Sequence, residues 1–308
     1  MTNLQKMDRR QSERNRERVA AVVGTRNRLE LLKSSIRCIR MQTRAPDVIL
    51  VIDNQSDDGT AEWLASQDDI VVHTQDNLGS SGGQLRGIKE AHQAGCDWFW
   101  CMDDDTLPEP EALERLLASK AAADERVGFI NSLALWKDGS RHRMNVPSIH
   151  ADPDLIIDGL SHGMIPIENS SFVSMLVRRT AVERCGLPLR EFFIWYDDAE
   201  FTRRLRKEFL GYLVPASRVL HATPENHSSD LSELNEGNAW KFRYAMRNRM
   251  YFEMTSGGPL HYRLRKSLRL AWSYYRVIHS KLSLPTALTL GRSLLEGMFL
   301  FRPKIEFP

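Results

Sequence analysis

The sequence predicts an α/β fold: a mostly parallel, doubly wound sheet flanked by helices, with a helical C-terminal extension. Short apolar runs alternate with segments of helical periodicity, and polar, turn-forming residues follow several of these runs directly. Strands that alternate with helices pair in parallel through right-handed crossovers. Basic and aromatic residues mixed from about Leu234 to the end indicate the C-terminal helices.

The elements of the first part of the chain follow from the apolar pattern. Residues 19–23 and 48–52 are apolar runs typical of buried strands, and Pro46 ends the helix between them. The predicted strands are 19–23, 48–52, 70–73 and 97–102, and the predicted helices are 29–39, 60–66 and 84–94. Ligands of such sheets bind beyond the carboxyl ends of the strands, where the loop 53–59 and residues 103–105 fall.

The second part of the chain has a mixed pattern. Strands are predicted over 127–132, 172–177 and 212–215, a helix over 201–207, and a loop-rich stretch up to about Asn169. The domain prediction is a disordered tail over 1–17, an α/β domain over 18–232 and a helical, basic and aromatic region over 233–308.

Composition argues against several classes of protein. The 308 residues carry 42 Lys and Arg against 40 Asp and Glu, a formal net charge of +2, and 42% are hydrophobic, which is ordinary for a globular protein. No run of about 18 or more apolar residues predicts a transmembrane helix, and no apolar segment near the start predicts a secretory signal. Four cysteines without CxxC spacing argue for reduced thiols and against structural zinc. The expected location is cytoplasmic.

Three adjacent aspartates, residues 103–105, are the strongest functional signal. They follow an apolar strand, and their mutual repulsion makes joint ionisation costly without a counter-cation. Residues two apart on a strand end face the same side, so Asp103 and Asp105 are expected to point together while Asp104 turns away. Carboxylate oxygens suit Mn²⁺ or Mg²⁺, so the pair is predicted to hold one of these ions. A solvated acidic turn is the alternative.

A second acidic group follows an aromatic stretch within residues 192–204. Asp197 and Asp198 lie at the mouth of a helix, where negative charge suits the helix dipole. Aromatic surroundings also raise the pKa of a carboxylate towards that of a useful general base. Capping of the helix by either aspartate, with Glu200 in its first turn, is the alternative, and the two roles are compatible.

Two further signals are weaker. Asn77 begins a segment rich in Gly and Ser that ends at Gly83, with Arg86 one turn inside the following helix. This pattern suits a phosphate or sugar hydroxyls, but also a flexible turn. His221 follows an apolar strand and is a candidate third metal ligand, although a single His is more often structural.

Five segments in this order resemble the family 2 glycosyltransferases, which are inverting, metal-dependent enzymes of the Rossmann-like GT-A fold. The resemblance covers about residues 19–225. The segments are Val-Val-Gly-Thr-Arg-Asn-Arg28, Val-Ile-Asp-Asn-Gln-Ser-Asp-Asp-Gly-Thr60, Asp-Asn-Leu-Gly-Ser-Ser-Gly-Gly83, Asp-Trp-Phe-Trp-Cys-Met-Asp-Asp-Asp-Thr106 and Trp-Tyr-Asp-Asp-Ala-Glu200. One such segment alone is weak evidence for the family, whereas five segments in the same order are strong evidence.

The resemblance implies roles for the matching residues. Asp103 and Asp105 would form the D-x-D pair that holds Mn²⁺ or Mg²⁺ on the diphosphate of a nucleotide sugar, with His221 completing the metal shell. Asp198 would be the catalytic base, with Asp197 as the alternative because the doublet leaves the choice open. The residues assigned to the donor are Thr25, Arg26, Asp53, Asn54, Asn77, Gly83, Arg86 and Asp104, and those assigned to the acceptor are Trp195, Tyr196 and Glu200.

Within the family, the segments ending at Gly83, Thr106 and Glu200 look most like the galactofuranosyltransferase and rhamnosyltransferase branch. Tyr244-Ala-Met-Arg-Asn-Arg249 resembles a Tyr-Arg-Asn-Arg stretch of that branch, with two residues inserted. The resemblance implies transfer of galactofuranose from UDP-galactofuranose to a glycan or polyprenyl-diphosphate-linked acceptor in bacterial surface polysaccharide assembly. A dTDP-rhamnose donor is the alternative, and a non-catalytic sugar-nucleotide-binding module is the alternative from another class.

The C-terminal region carries a local excess of positive charge. Residues 241–276 contain nine Lys or Arg and one acid, Glu253, among Trp and Tyr residues. Each base near anionic lipid contributes about 1 kcal/mol, so peripheral attachment to the inner face of the cell membrane is predicted. The alternatives are that these helices pack on the catalytic domain or form a homo-oligomer interface.

Other functions lack their sequence motifs. No G-x-G-x-x-G follows the first strand, as a dehydrogenase requires, and no P-loop is present. A nucleotidyltransferase usually carries a glycine-rich, basic loop after its first strand, and this chain does not. No zinc-finger, RRM or basic-zipper signature is present, so no nucleic-acid partner is expected.

Overall fold

The computed structural model describes residues 16–226 and 231–308. The tail predicted over 1–17 therefore lies almost entirely outside the described residues. The strands are β1 (Val19–Thr25), β2 (Val48–Asp53), β3 (Ile70–Thr74), β4 (Trp98–Asp103), β5 (Thr106–Pro108), β6 (Val127–Leu135), β7 (Ile165–Pro166), β8 (Met175–Arg178) and β9 (Leu210–His221). The helices are α1 (Leu29–Arg40), α2 (Thr60–Ala65), α3 (Gly79–Gln93), α4 (Ala112–Leu117), α5 (Lys120–Ala123), α6 (Pro153–Ser161), α7 (Arg179–Cys185), α8 (Asp197–Leu205), α9 (Ala239–Met254), α10 (Leu260–Lys281) and α11 (Leu284–Leu295).

The strands of the described residues form one sheet in the order β3-β2-β1-β4-β8-β6-β9-β5, with β7 paired to β9. β1 runs parallel to β2 and to β4, and β2 runs parallel to β3. β8 enters antiparallel between β4 and β6. The predicted class, an α/β sheet flanked by helices with a helical C-terminal extension, is confirmed.

The side chains of β1 alternate between two apolar cores. Val19, Ala21 and Val23 lie in the core beneath α1, and Ala20 and Val22 lie in the core beneath α3. A strand that is buried on both faces needs an uninterrupted apolar run, because neither face meets water. This requirement explains why the first strand was recognisable from the sequence.

Helix α3 begins earlier than predicted. It starts at Gly79 rather than at residue 84, so the segment rich in Gly and Ser is the first turn of the helix and not a loop. A Cβ at Gly87, further along the helix, would lie 2.2 Å from Cγ1 of Val22 on β1. The small residues of α3 thus let the helix approach the sheet closely, which hydrophobic periodicity does not reveal.

Other boundaries differ where tertiary contacts decide them. The stretch predicted as loop-rich contains α6, which Asp152 caps by accepting from the backbone N of Asp154 at 2.9 Å. β9 is longer than the predicted strand 212–215, and α8 begins at Asp197 rather than at residue 201. β8 begins at Met175 rather than at residue 172.

The C-terminal helices α9, α10 and α11 pack around a separate apolar core. Its buried members include Phe242, Met246, Met250, Tyr274, Leu290 and Leu294. The core also receives Trp195, from the loop that precedes α8, so the helices contact the α/β domain directly. Within the described residues, none of the helices combines the length and the apolarity needed to cross a bilayer.

Candidate active site

The carboxyl ends of the central strands bring the predicted site residues to one edge of the sheet. Thr25 at the end of β1 lies opposite Asp53 at the end of β2, and Gly24 lies opposite Asp103 at the end of β4. Parallel strands in register end together, and polar residues placed directly after the apolar runs therefore meet.

Asp103, Asp105 and His221 form a cluster at this edge. One potential ligand atom from each residue lies within 4.8 Å of the other two. The short strand β5 follows Asp105 directly and pairs antiparallel with β9, with Thr106 opposite His221. This pairing places His221, which is distant in the sequence, beside the predicted metal ligands Asp103 and Asp105.

Hydrogen bonding fixes the tautomer of His221. Its Nδ1 lies 2.8 Å from Oδ1 of Asn145, an oxygen that can only accept, so Nδ1 carries the hydrogen. Its Nε2 lies 3.2 Å from Oδ1 of Asp105, close enough to donate to that oxygen when the ring is protonated and to face it with a lone pair when the ring is neutral. Oδ1 of Asp105 is buried and has no other partner among the described residues. Two acceptor atoms that face each other fit a cation between them, so the residues present suit the predicted Mn²⁺ or Mg²⁺.

Asp104 points towards β1, as expected from the alternation of side chains. Its Oδ2 accepts a hydrogen bond from Oγ1 of Thr25 at 2.8 Å, and its Oδ1 accepts one from Nη1 of Arg28 at 3.2 Å. Nη1 of Arg28 also lies 2.7 Å from Oδ2 of Asp105. Because both oxygens of Asp104 are occupied within the protein, the structure favours a role in tying β1 to β4 over the predicted direct contact with a donor.

Burial dominates the ionisation of the aspartates that follow β4. Loss of solvation raises the pKa of Asp103 to about 6, and the charge of Asp105 adds to that rise. Loss of solvation also raises the pKa of Asp104 to about 7, although the nearby charge of Arg28 opposes the rise. For Asp105, the loss of solvation is outweighed by the hydrogen bonds and charge of His221 and Arg28, which lower its pKa. Negative charge at this edge of the sheet is thus costly except where a cationic group lies beside it, as expected for a site built around a cation.

Asp197 and Asp198 begin helix α8. Asp197 is 5% exposed, whereas Asp198 is partly exposed and its Oδ1 accepts from the backbone N of Ala199 at 2.6 Å. Loss of solvation raises the pKa of both to about 7, with repulsion from Asp198 as a further cause for Asp197 and repulsion from Asp103 as a further cause for Asp198. Of the two carboxylates, Asp198 has the greater access to solvent.

The loop before α8, the aromatic loop (residues 193–196), has an unusual backbone. Phe193, Trp195 and Tyr196 have φ values of 66°, 65° and 66°, which is costly for residues with a side chain. Gly79 at the start of α3 has a φ of 73°, and a Cβ there would lie 2.1 Å from the carbonyl oxygen of Phe193. The aromatic loop therefore packs directly on the start of α3, and only glycine fits at this contact.

The residues predicted to bind the nucleoside lie at the end of β2. Asp53 and Asn54 are buried. Oδ1 of Asp53 accepts from the backbone N of Ser56 at 3.0 Å, whereas its Oδ2 is buried with no partner among the described residues. Oδ1 of Asn54 accepts from Nε2 of Gln75 at 2.9 Å. Gly83 packs on Asn54, because a Cβ at Gly83 would lie 3.0 Å from its Nδ2.

The remaining predicted donor residues differ in their placement. Asn77 lies two residues before α3, and its Oδ1 accepts from the backbone N of Gly79 at 3.1 Å, while Arg26 is exposed. Arg86 pairs with Glu90 at 2.6 Å, one turn further from the start of α3. This pairing directs Arg86 away from the acidic cluster, so the structure does not favour its predicted phosphate contact.

The three predicted acceptor residues are also placed differently from one another. Trp195 packs edge-on against Phe242, and Tyr196 lies beneath the guanidinium of Arg249. Glu200 is 5% exposed and pairs with Arg204 at 3.0 Å. The carboxylate of Glu200 thus already has a charged partner within its own helix, and its contact with an acceptor stays a prediction.

The sequence analysis missed three residues of this site. Arg28 lies in the first quoted segment, and the parallel register of β1 with β4 is the signal that places it beside the acidic cluster. Asn248 contacts the aromatic loop and lies in the segment 244–249 that resembles the family branch. Asn145, the last residue of a short 3-10 helix (Arg143–Asn145), orients His221 and has no signal in the sequence.

Comparison with known proteins agrees with this geometry. Residues 20–184 match the family described as glycosyl transferase family 2. The chain is 29% identical over 204 residues to galactofuranosyltransferase GlfT1 of Mycolicibacterium smegmatis, a match that covers 64% of this chain and 68% of the relative. It is 30% identical over 217 residues to GlfT1 of Mycobacterium tuberculosis, covering 64% of this chain and 67% of that protein.

Two further similarities differ in extent. An undecaprenyl-phosphate mannosyltransferase of Micrococcus luteus is 34% identical over 118 residues, which are 36% of this chain and 47% of that protein. The crystal structure of S. aureus TarS 1-349 has a similar fold, with a TM-score of 0.56, 12% identity, and coverage of 92% of this chain and 81% of that one. The family match spans more than half of the chain, and the protein is a family 2 glycosyltransferase with a GT-A fold.

Proposed function

We propose that this enzyme is an inverting, metal-dependent glycosyltransferase that transfers galactofuranose from UDP-galactofuranose to a glycan or a polyprenyl-diphosphate-linked glycan. The observation that carries the proposal is that a cluster suited to a cation, Asp103, Asp105 and His221, lies near the carboxylate of Asp198. The two groups are close enough for the charge of Asp103 to raise the pKa of Asp198. Two relatives, each matched over about two thirds of its own length, are galactofuranosyltransferases by name.

In this proposal, Asp198 accepts the proton of the acceptor hydroxyl as that oxygen attacks the anomeric carbon. Its raised pKa and its partial exposure suit a base that must meet a second substrate. Asp103, Asp105 and His221 hold Mn²⁺ or Mg²⁺, which when bound supplies a positive charge for the departing diphosphate. Attack from the face opposite the leaving group inverts the anomeric configuration. Asp197 remains the alternative base.

The nucleotide is proposed to bind at the ends of β1 and β2. Oδ2 of Asp53 is buried without a partner among the described residues, and an N–H or O–H group of the nucleoside would satisfy it. Thr25, Arg26 and Asn54 lie at the same ends, and the start of α3 faces the cluster through Oγ of Ser80, 3.5 Å from Oδ1 of Asp103. dTDP-rhamnose is the second candidate donor.

Thermal unfolding in the presence of a panel of sugar nucleotides, followed by a transfer assay, tests this proposal. A ligand that binds only the native state raises the unfolding midpoint. We expect a shift with UDP and UDP-galactofuranose in Mn²⁺, none in EDTA, and product of inverted configuration from the same donor. A shift of the unfolding midpoint with dTDP-rhamnose alone would make dTDP-rhamnose the proposed donor in place of UDP-galactofuranose. Binding without turnover on any acceptor would favour the non-catalytic module.

Peripheral attachment to an anionic membrane surface is proposed for helix α10. Its exposed side chains include Leu268, Trp272 and Tyr275, and Arg265 and Arg269 line a shallow groove with the first two of these. Apolar and basic residues on one helix face suit the headgroup region of an anionic bilayer. By contrast, two other bases of the region, Arg249 and Lys266, both pair with the buried carboxylate of Glu253.

Sedimentation with phosphatidylglycerol vesicles at low salt tests the membrane proposal. The double variant Arg265→Glu, Arg269→Glu should lose most binding, since it removes two attractive charges and adds two repulsive ones. Arg126→Glu, a change at an exposed base of the α/β domain, is the matched control and should bind as the unmodified protein does. Failure of the unmodified protein to bind would overturn the proposal.

A further inference from the structure

Asn248 on helix α9 holds the aromatic loop through its side-chain amide. Nδ2 donates to the carbonyl oxygens of Phe192 at 2.8 Å, Ile194 at 3.1 Å and Trp195 at 2.9 Å. Asn248 is fully buried. Three carbonyl groups that converge on one point repel each other unless a donor lies between them, and this amide is that donor.

The backbone that Asn248 holds is not stable by itself. Three of the four residues of the aromatic loop have positive φ, at a cost on the order of 1–3 kcal/mol each, and such a conformation persists only where surrounding contacts impose it. On one side, the start of α3 supplies a contact, with the backbone N of Ser81 3.3 Å from the carbonyl oxygen of Phe193. On the other side lies α9, where the ring of Tyr244 stacks on that of Phe193 and the amide of Asn248 supplies the hydrogen bonds to the loop carbonyls.

The helix that carries Asn248 is also anchored by contacts outside the aromatic loop. Met246 and Met250 on the same helix are fully buried in the C-terminal core. The neighbouring Arg247 donates to the carbonyl oxygen of Glu191 and stacks over the ring of Phe301, 4.0 Å from its centroid. The amide of Asn248 is therefore presented to the loop from a rigid support.

We propose that Asn248 is a positioning residue for glycosyl transfer. By fixing the carbonyl groups of Phe192, Ile194 and Trp195, it sets where the chain enters α8 and hence where the carboxylates of Asp197 and Asp198 lie. The proposal rests on the proposed function, because it assumes that one of these carboxylates is the base. It makes α9, which lies beyond the family-matched residues 20–184, a part of the catalytic apparatus.

The variant Asn248→Asp tests this role, because it keeps the shape of the side chain and replaces the donor by an acceptor. Displacement of the base by about 1 Å costs up to a hundredfold in rate, so we expect kcat to fall by about tenfold to a hundredfold. The affinity for UDP in Mn²⁺, measured by titration calorimetry, should stay within about twofold of the unmodified value, because the nucleotide and cation residues lie on other elements.

Asn238 at the start of the same helix provides the matched control. Its Nδ2 also donates to a backbone carbonyl, that of Glu233 at 2.8 Å, but that loop does not lead to α8. Asn238→Asp should lower the unfolding midpoint without changing kcat. If Asn248→Asp and Asn238→Asp have the same kcat, the positioning role is wrong even where both lower stability.

A second variant keeps the test decisive if Asn248→Asp does not fold. Asn248→Ser retains one donor in place of two, and its kcat should lie between those of the unmodified enzyme and Asn248→Asp, or be reduced if only the Ser variant is obtained. A folded Asn248→Ser variant with an unchanged kcat would overturn the proposal. Absence of transfer by the unmodified protein on every donor would instead overturn the proposed function, so the two failures are distinguishable.

Discussion

The carboxylates of Asp103 and Asp105 sit at the end of a strand in the middle of the sheet, whereas those of Asp197 and Asp198 follow a loop of unusual backbone. β4 is hydrogen-bonded on both sides, by β1 and by β8, and so its end has a fixed position. The loop before Asp197 receives its support from α3 and from α9. One acidic group is therefore positioned by the sheet and the other by helices that close on it from two sides.

This difference indicates how the two groups divide the reaction. A cation and a diphosphate need a rigid set of ligands, which strand ends provide. A base must meet an acceptor that arrives from outside, and a loop between two elements can adjust to it. Changes at the sheet should thus affect donor binding and rate together, while changes at the aromatic loop should affect rate alone.

The largest effect is expected from Asp105→Ala. The change removes one ligand and leaves His221 without its carboxylate neighbour at 3.2 Å. Because a Lewis acid supplies several kcal/mol, turnover should fall by about three to four orders of magnitude, with weaker UDP binding in Mn²⁺. Steady-state kinetics with calorimetry measures both. Asp69→Asn, at an exposed residue paired with Arg40, is the control and should behave as unmodified.

Asp198→Asn should reduce turnover by about a hundredfold to ten-thousandfold, the usual contribution of a general base. UDP binding should persist, because the amide leaves the cluster of Asp103, Asp105 and His221 intact. The paired variant Asp197→Asn decides between the two aspartates. A greater loss of kcat in Asp197→Asn than in Asp198→Asn would transfer the role of base to Asp197.

A change at Gly79 disturbs the aromatic loop from the side of α3. In Gly79→Ala, the new Cβ would lie 2.1 Å from the carbonyl oxygen of Phe193, so the loop must move and kcat should fall by about tenfold to a hundredfold. Gly139 also has positive φ but has no atom within 4 Å of an added Cβ. Gly139→Ala should therefore destabilise the fold by about 1 kcal/mol with an unchanged kcat. Equal kcat values for the two variants would show that the loop contact does not position the base.

The smallest effect is the dependence of rate on pH. The pKa of Asp198 is raised to about 7, and only the deprotonated carboxylate accepts a proton. Activity should accordingly rise about tenfold per pH unit below this pKa and level off above it. A cation at Asp103 removes one cause of the raised pKa, so the midpoint in saturating Mn²⁺ should lie at or somewhat below about 7. A profile that falls as pH rises through this range would exclude Asp198 as the base.

The same contrast explains how far the sequence could be interpreted. The strands β1, β2 and β4 could be predicted from their uninterrupted apolar runs, because each is buried on both faces. The aspartates at the ends of β2 and β4 lie at the predicted edge of the sheet. The approach of His221 to these aspartates depends on the short pairing of β5 with β9, which the sequence analysis did not predict.

Tertiary contacts account for the features that the sequence analysis did not predict. Glu200 and Arg86 carry the charges expected of a site, but Arg204 and Glu90 on their own helices bind them. The start of α3 was predicted as a loop because its glycines serve a close contact with the aromatic loop and the sheet. The hydrophobic periodicity of a sequence does not show which partner a charged side chain will bind. It also does not show which distant backbone segments will be in contact.

Calorimetric titration of UDP in Mn²⁺ into Asp198→Asn and Asp105→Ala, side by side, tests the central claim most directly. We expect Asp198→Asn to bind UDP as the unmodified enzyme does, and Asp105→Ala to bind UDP at least about tenfold more weakly. Each protein is titrated again in EDTA, where the difference between them should vanish. Equal binding by the two variants in Mn²⁺, whether both strong or both weak, would contradict the division between a cation site on the sheet and a base held by the helices.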